Sequence, residues 1–197
     1  FSVIGLAEYS KVTRDRSIGL TSEKIMDSML RRIDQGGYKT APYEIPSPYN
    51  SHGIPMIIIS TLRVLSSMKE SFSEDVSRLY REEKKYLDLI FSLHYDRETN
   101  LIREYVSPSP DYSRLLDRHI NPGHTLEDAW FWIESMESQG VLSENIALIS
   151  DIIKKTFDIS WDNEYGGLFR FVDRKGGKPK GKTNGSSYEC LVKETWN

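Results

Sequence analysis

The sequence predicts an all-α fold built from pairs of helices. Apolar residues recur at three- and four-residue spacing in one segment after another, which is the period of helices with one buried face. Glycine, proline and capping residues fall between these segments, where they end one helix or begin the next. Longer polar excursions follow every second helix, and this paired rhythm is typical of a toroid of helical hairpins. No linker divides residues 1–197, so we expect one domain.

The first helix pair is predicted near the start of the chain. Apolar side chains at helical spacing indicate a helix over residues 1–15. A second helix can be capped by Thr21 or Ser22, and the glycine pair at 36–37 ends it. Residues 38–54 contain three prolines and several aromatic side chains, so they are predicted to form a loop near a cleft.

A second helix pair follows that loop. Pro55 can open a third helix, and Ser73 can cap a fourth helix that ends near His94. A protonated imidazole at a helix C-terminus is favoured by the helix dipole, so a structural role is predicted for His94. Residues 101–106 are predicted to form a short strand of a hairpin in the next loop.

The residues Asn-Pro-Gly-His-Thr-Leu-Glu-Asp-Ala-Trp-Phe-Trp, at positions 121–132, carry the most informative pattern. Asn121 is a preferred N-cap and Pro122 suits the first helical position, so a helix is predicted from Asn121 to about Gln139. Side chains three residues apart share a helix face, which places His124 and Glu127 on one side.

This spacing predicts an acid-base site. His124 falls in the first helical turn, where the positive end of the dipole disfavours imidazolium and favours the neutral ring that a general base needs. Glu127 can orient that ring or hold a substrate hydroxyl. The alternatives are a surface pair and two ligands of a metal ion. We expect no metal, because no cluster of His or Cys elsewhere in the sequence completes such a site.

The last third of the chain predicts one more helix and two loops. A helix is expected to start at Ser143, and residues 161–172 are predicted to form a hairpin. Gly166 and Gly167 are expected at a tight turn with positive φ. Residues 175–187 are almost free of apolar side chains and are predicted to be a mobile loop. Their Gly-Lys pairs lack the spacing of a phosphate-binding P-loop.

Four segments, in the same order, resemble the N-acylglucosamine 2-epimerase family. Residues 118–131 match its Asn-Pro-Gly-His-x-x-Glu-x-x-Trp-Phe signature, and residues 161–173 look like its Gly-Gly-aromatic-Asp hairpin. Residues 193–196 are similar to its Lys-x-Trp-Trp motif, with Thr195 in place of the first Trp, and residues 55–58 resemble a Pro-Met helix start. The resemblance implies an (α/α)6 barrel with short β-hairpins in its loops, of which this chain would be an incomplete portion.

The resemblance also implies an activity. The family interconverts N-acyl-D-glucosamine and N-acyl-D-mannosamine by removing and returning the proton at C2 of the open-chain sugar. His124 matches one of its two acid/base histidines, and Glu127 matches its active-site glutamate. The second histidine and a substrate-binding arginine would lie outside this chain, so the chain alone is expected to be inactive. No cofactor is required, and the resemblance allows a nucleotide effector and a homodimer.

Sugar recognition is predicted to use aromatic and basic side chains, because the CH faces of sugars stack on aromatic rings. The substrate-binding candidates lie in the signature helix, in the segment similar to Lys-x-Trp-Trp and in the loop before the third helix. They are Trp130, Phe131, Lys193, Trp196 and His52. Core packing is the alternative for Trp130, and loop packing or a surface position is the alternative for His52.

Other functions fit parts of this pattern. An aldose-ketose isomerase shares the first deprotonation but returns the proton to C1. A cellobiose-type 2-epimerase would carry a further histidine after the Pro-Met position, and residues 57–65 contain none. The family includes a renin-binding protein, so a non-catalytic binding role is a separate alternative. A glycoside hydrolase would need a second carboxylate across the cleft from Glu127, and none stands out.

Composition narrows the class of partner. A formal net charge of −3 offers no broad basic field to nucleic acid or membrane. Cys190 is the single cysteine, so an intrachain disulfide is excluded, which agrees with a reducing compartment. No apolar run approaches the roughly 18 residues of a membrane span. We therefore expect a cytoplasmic protein whose partner is a small-molecule sugar.

Overall fold

The computed structural model describes residues 1–36 and 38–195 of the chain. That part contains seven α-helices and one π-helical turn, Ile90–His94. The helices are α1 Ser2–Thr13, α2 Arg16–Asp34, α3 Gly53–Ser71, α4 Ser77–Leu89, α5 Pro122–Ser138, α6 Leu142–Ser160 and α7 Ser187–Glu194. The prediction of a mostly helical fold is confirmed, whereas closure of the helices into a toroid stays a prediction. None of the helices in these residues is long and apolar enough to cross a membrane.

Short antiparallel strand pairs lie in the connections between helices. The strands are β1 Asn50–Ser51, β2 Tyr95–Asp96, β3 Leu101–Ile102, β4 Tyr105–Val106, β5 His119–Ile120 and β6 Val172–Asp173. β2 pairs with β3, β1 with β4, and β5 with β6. The strand expected over residues 101–106 is therefore split in two, because β3 pairs with the preceding strand and β4 pairs with β1, more than 50 residues earlier in the chain.

The helices pack as three consecutive pairs, α1 with α2, α3 with α4, and α5 with α6. α3 is the central helix, since it also packs against α1 and α5. Its inward side chains Ile59, Leu62 and Leu65 are fully buried, and Trp132 of α5 joins the same core. Burial of each such side chain stabilises the fold by about 1.5–3 kcal/mol. The apolar faces of the paired helices form one continuous core.

Two predicted helix starts are wrong. α2 is capped by Asp15, which accepts a hydrogen bond from the backbone N–H of Ser17 at 3.0 Å. Ser22 instead lies inside the helix, buried, and donates to the carbonyl of Val3 at 2.9 Å. α4 begins at Ser77, while Ser73 precedes it with a φ of 59°. Several short polar residues compete for each cap, and local preference alone does not choose between them.

The start of α5 agrees with its prediction. Asn121 has extended backbone, and its side-chain oxygen accepts a hydrogen bond from the backbone N–H of His124 at 3.3 Å. Pro122 occupies the first helical position. The helix ends at Ser138, and Gly140 follows with a φ of 74°. The cap thus fixes the first turn, which carries His124.

Removing this cap is expected to destabilise the protein. Asn121→Ala leaves the backbone N–H of His124 without its acceptor, and loss of an N-cap lowers the free energy of unfolding by about 0.5–2 kcal/mol. Urea denaturation of the variant, monitored by circular dichroism, measures this difference. Asn163→Ala, in an exposed loop, is the control and should leave the midpoint unchanged. An equal midpoint for both variants would show that the cap contributes nothing.

The loops after α6 are held by backbone contacts. Gly166 and Gly167 have φ values of 77° and 88°, which confirms the tight turn predicted there. The segment expected to be mobile is instead anchored, because the backbone of Lys182 bonds to Ser113 and Leu115 at 2.8 and 2.9 Å. At Gly181 an added Cβ would lie 2.5 Å from the backbone nitrogen of Leu115, so only glycine permits this approach.

Candidate active site

The candidate site forms where β1, β4 and the first turn of α5 meet. His52 lies between the end of β1 and the start of α3, and its backbone N–H donates to the carbonyl of Glu104 at 2.8 Å. Glu104 precedes β4 directly. From α5, the Nδ1 atom of His124 lies 3.0 and 3.1 Å from the two carboxylate oxygens of Glu104. Two histidines far apart in sequence therefore converge on one buried carboxylate.

His124 has the arrangement of a general base. Its side chain is 38% exposed, whereas Glu104 is only 4% exposed. In the neutral ring, the Nδ1–H donates to Glu104 and the lone pair lies on Nε2. Nε2 has no hydrogen-bond partner within the described parts of the chain. The basic nitrogen is thus the accessible one, and the carboxylate fixes the orientation of the ring.

Glu127 does not orient His124. It is exposed on α5 and makes no hydrogen bond or ion pair with residues 1–36 or 38–195. The orienting role that the sequence suggested for Glu127 belongs to Glu104, which the sequence did not single out. The other role, holding a substrate hydroxyl, stays a prediction.

Glu104 is held as a carboxylate despite its burial. Burial alone would raise its pKa, but the hydrogen bond to His124 and the ion pair with His52, 3.9 Å away, outweigh burial and keep the pKa of Glu104 well below its usual range. A charged acceptor strengthens its hydrogen bond to His124. This carboxylate can therefore stabilise a positive charge on His124 when that ring accepts a proton.

A second ion pair lies behind Glu104. The Nε2 atom of His52 is 2.6 Å from Oδ2 of Asp128, and both side chains are almost completely buried. Burial disfavours the charged ring, yet the hydrogen bond to Asp128 and the nearby carboxylate of Glu104 prevail and raise the pKa of His52 to about 9. Burial raises the pKa of Asp128. The sequence placed His52 in a loop with loop packing as one alternative, and the structure buries it beneath the site.

His94 lies beside this pair, with its ring 5.5 Å from the ring of His52. Its Nδ1 atom is 2.9 Å from the carbonyl oxygen of Arg103. Burial, together with the nearby charge of His52, lowers the pKa of His94 to about 4. The burial of His94 agrees with the structural role predicted for it, but the ring is neutral rather than protonated, since the surrounding core outweighs the helix dipole.

A cavity of about 350 Å³ opens next to His124 and Glu104. One wall is aromatic, with the rings of Tyr105 and Tyr188 4.8 Å apart. Arg170 also lines it, with its guanidinium 5.2 Å from the ring of Phe171. Arg170 makes no ion pair within the described residues. The volume lies at the lower end of the range for small-molecule pockets, so the cavity can hold a ligand beside Nε2 of His124.

The predicted sugar-binding residues lie in different places, and their roles stay predictions. Trp130 is 58% exposed on α5, whereas Phe131 packs into the main core with 7% exposure. Lys193 of α7 is exposed, with its Nζ atom 3.5 Å from the hydroxyl of Thr183. Trp196 lies outside the described residues. The aromatic and basic side chains that line the cavity beside His124 are instead three tyrosines, Phe171 and Arg170.

The site also contains a set of atoms that can bind a metal ion. One ligand atom each from His52, Glu104 and His124 lies within 4.8 Å of the others. The argument that no cluster completes a metal site is therefore wrong, because strand pairing supplies the missing ligands. A metal would have to displace the proton of His52, whose pKa is about 9, and break the bond between Glu104 and His124. These contacts favour a hydrogen-bonded network over a metal centre.

Comparison with known proteins supports the resemblance that the sequence motifs indicate. No protein-family model matches the chain. The chain is 26% identical over 179 residues to the N-acylglucosamine 2-epimerase of Mus musculus. The aligned residues make up 89% of this chain and 42% of that relative. With the enzyme of Rattus norvegicus the chain shares 26% identity over 176 residues, or 88% of this chain and 41% of the relative.

A shorter match, 27% identical over 121 residues, links 61% of the chain to 27% of the N-acylglucosamine 2-epimerase of Homo sapiens. The chain therefore spans less than half the length of these curated relatives. The resemblance predicted from four short motifs is confirmed, because along most of its length this chain is similar in sequence to N-acylglucosamine 2-epimerases.

Proposed function

We propose that this chain supplies one acid-base group of a sugar 2-epimerase that acts on the open-chain form of an N-acylated hexosamine. The observation that carries the proposal is the half-exposed His124, bound through Nδ1 to the buried carboxylate of Glu104 beside a cavity. Similarity to N-acylglucosamine 2-epimerases supports the choice of substrate class.

The first chemical step is removal of the proton at C2. Nε2 of His124 accepts this proton, the C–H electron pair forms a C1–C2 double bond, and the carbonyl oxygen at C1 takes the negative charge of an enolate that still carries the acylamino group at C2. The imidazolium that forms remains bonded to Glu104, whose charge stabilises it. Holding the sugar in place beside this nitrogen makes the transfer effectively unimolecular.

The second step returns a proton to the opposite face of C2. This restores the aldehyde with inverted configuration, and no electrons are gained or lost overall. The acid for this step must approach from the other side of the sugar, and we propose that it lies outside residues 1–197. Arg170 lines the same cavity as His124, and its positive charge is suited to the enolate oxygen.

An aldose-ketose isomerase shares the first step and differs in where the proton returns. The test is to incubate the intact protein in deuterium oxide with N-acetylmannosamine, mannose or cellobiose, and to identify products by NMR. Deuterium at C2 with formation of N-acetylglucosamine supports the proposal. Deuterium at C1 of a ketose identifies an isomerase. Absence of exchange with every sugar would favour a non-catalytic binding protein.

Glu104→Gln is expected to slow C2 exchange. The amide removes the negative charge and can accept or donate to Nδ1, so the ring loses both its charge partner and its fixed tautomer. We expect kcat to fall roughly 10²-fold, the lower end of what a positioned acid-base group contributes, with little change in KM. Glu134→Gln, exposed on α5, should retain full activity. Equal rates for the two variants would exclude the orienting role of Glu104.

A further inference from the structure

The geometry points to His52 and Asp128 as a positioning pair that holds Glu104 as an oriented carboxylate and acts on the reaction only through Glu104. This inference rests on the proposed function and extends it to two residues buried beneath the cavity, and it gives His52 a positioning role in place of the sugar contact predicted from the sequence. His52 is 1% exposed and Asp128 is fully buried. Neither is a catalytic residue, because the acid-base nitrogen belongs to His124.

Four side chains form a continuous line from the core to the cavity. Asp128 Oδ2 lies 2.6 Å from His52 Nε2, and His52 Nδ1 lies 3.9 Å from Glu104 Oε2. The same Glu104 oxygen lies 3.0 Å from His124 Nδ1. Asp128 and His124 both belong to α5, four residues apart, and His52 precedes α3. The line therefore joins two core helices to the segment before β4.

The charges of these four side chains set the net charge of the network before and after proton transfer. Asp128 and His52 share one proton and are neutral as a unit, and Glu104 adds one negative charge. The resting network therefore carries one negative charge, and it becomes neutral when His124 accepts the C2 proton. Without the positive charge of His52, the buried Glu104 would be stabilised only by a protonated His124. A permanently protonated His124 could not act as a base.

Apart from the two histidines, no cation in the described residues forms an ion pair with Glu104: Arg170 lines the same cavity but is exposed, and the guanidinium of Arg103 donates to the carbonyl of Leu93. Around His52 the facing groups are Asp128 from α5, Glu104 from the segment before β4, and the neutral ring of His94 from the π-helical turn. Around Glu104, besides His52 and His124, are the uncharged rings of Tyr105, His119 and Tyr188 from β4, β5 and α7. Within the described residues, His52 is thus the buried cation that Glu104 can use.

The kinetic test is His52→Gln in the intact protein, which keeps a hydrogen-bonding side chain but removes the charge. We expect kcat for C2 exchange to fall roughly tenfold or more, as for loss of a group that supports a general base, with KM nearly unchanged. The acidic limb of the pH profile of kcat/KM should move to higher pH. The reason is that, without the positive charge of His52, the negative charge of Glu104 holds the proton accepted by the base more strongly.

His94→Gln is the matched control, because His94 is equally buried and adjacent but carries no charge near neutral pH. It should lower stability without moving the pH profile. A merely structural role for His52 would give the same result as His94→Gln, namely lower stability and an unmoved acidic limb. That outcome would overturn the inference.

A second measurement does not depend on activity. ¹⁵N NMR of the wild-type protein should show both ring nitrogens of His52 protonated at about pH 7.5, with loss of the proton near pH 9. Asp128→Asn should move this titration to lower pH. A neutral His52 ring at about pH 7.5 would overturn the inference even if the enzyme is active. If His52 loses its proton near pH 9, as expected, but the protein exchanges no sugar proton, the proposed function is refuted instead.

Discussion

Replacing His124 with alanine in the intact protein is expected to slow exchange of the substrate C2 proton by roughly 10²- to 10⁴-fold, the contribution typical of a general acid or base. The sequence places this imidazole in the first turn of a capped helix, and the structure bonds its Nδ1 atom to Glu104. Alanine removes the only nitrogen of this residue that can reach a ligand in the cavity. The effect should therefore appear in kcat, with little change in substrate affinity.

Proton NMR in deuterium oxide, which follows loss of the C2 signal of N-acetylmannosamine, measures this rate. The variant should still fold, but its free energy of unfolding should fall, because the buried Glu104 loses its hydrogen bond from His124. Added imidazole, which can enter the space left by the side chain, should restore part of the exchange. Wild-type exchange in His124→Ala would refute the catalytic assignment and favour a binding protein.

The stability of the protein is expected to be greatest near pH 6.5 and to fall on both sides. Folding raises the pKa of His52 from 6.5 to about 9, so its stabilising effect is complete below pH 6.5 and is lost as the pH rises to 9. Folding lowers the pKa of His94 from 6.5 to about 4, so the unfolded chain binds a proton more readily and stability falls as the pH drops from 6.5 to 4. Each side amounts to about 3 kcal/mol, from 1.36 kcal/mol per pKa unit.

Urea denaturation at about pH 4.5, 6.5 and 9 tests both sides separately. His94→Gln should flatten the acidic side and leave the alkaline side unchanged. His52→Gln should flatten the alkaline side and also weaken the acidic side, because the charge of His52 helps to lower the pKa of His94. As the pH falls below the usual pKa of a glutamate, the lowered pKa of Glu104 causes a further loss of stability. The raised pKa of Asp128 acts in the opposite direction. A wild-type stability that rises steadily from pH 6.5 to 9 would contradict the ion pair at His52.

The parts of the site that depend on local rules could be predicted from the sequence. The N-cap, the proline at the first position and the apolar period fix α5 within a residue or two, and they place His124 in its first turn. The positive φ values of Gly166 and Gly167 follow from the same kind of rule, because few other residues adopt them. In each case the decisive interactions lie within a few residues along the chain.

The rest of the site could not be predicted, because it depends on contacts between distant segments. Glu104 meets His52 through the pairing of two-residue strands, and no sequence period identifies strands of that length. Asp128 lies within the predicted helix, but its importance follows only from the burial of His52 beside it. Glu127 is the carboxylate nearest to His124 in sequence, so the sequence alone assigns the orienting role to it. The possible metal ligands could not be predicted for the same reason, because they come from distant segments.

The three segments that form the site lie in connections of only one or two residues between neighbouring elements. His52 is the single residue between β1 and α3, Asn121 is the single residue between β5 and α5, and only two residues separate β3 from β4. Inserting one residue at any of these junctions would rotate a side chain away from Glu104. The spacing of these junctions is therefore constrained more tightly than the identity of the residues along the helices. Variation in length should accumulate in the long segment before β1, where it leaves the geometry of His52, Glu104 and His124 intact.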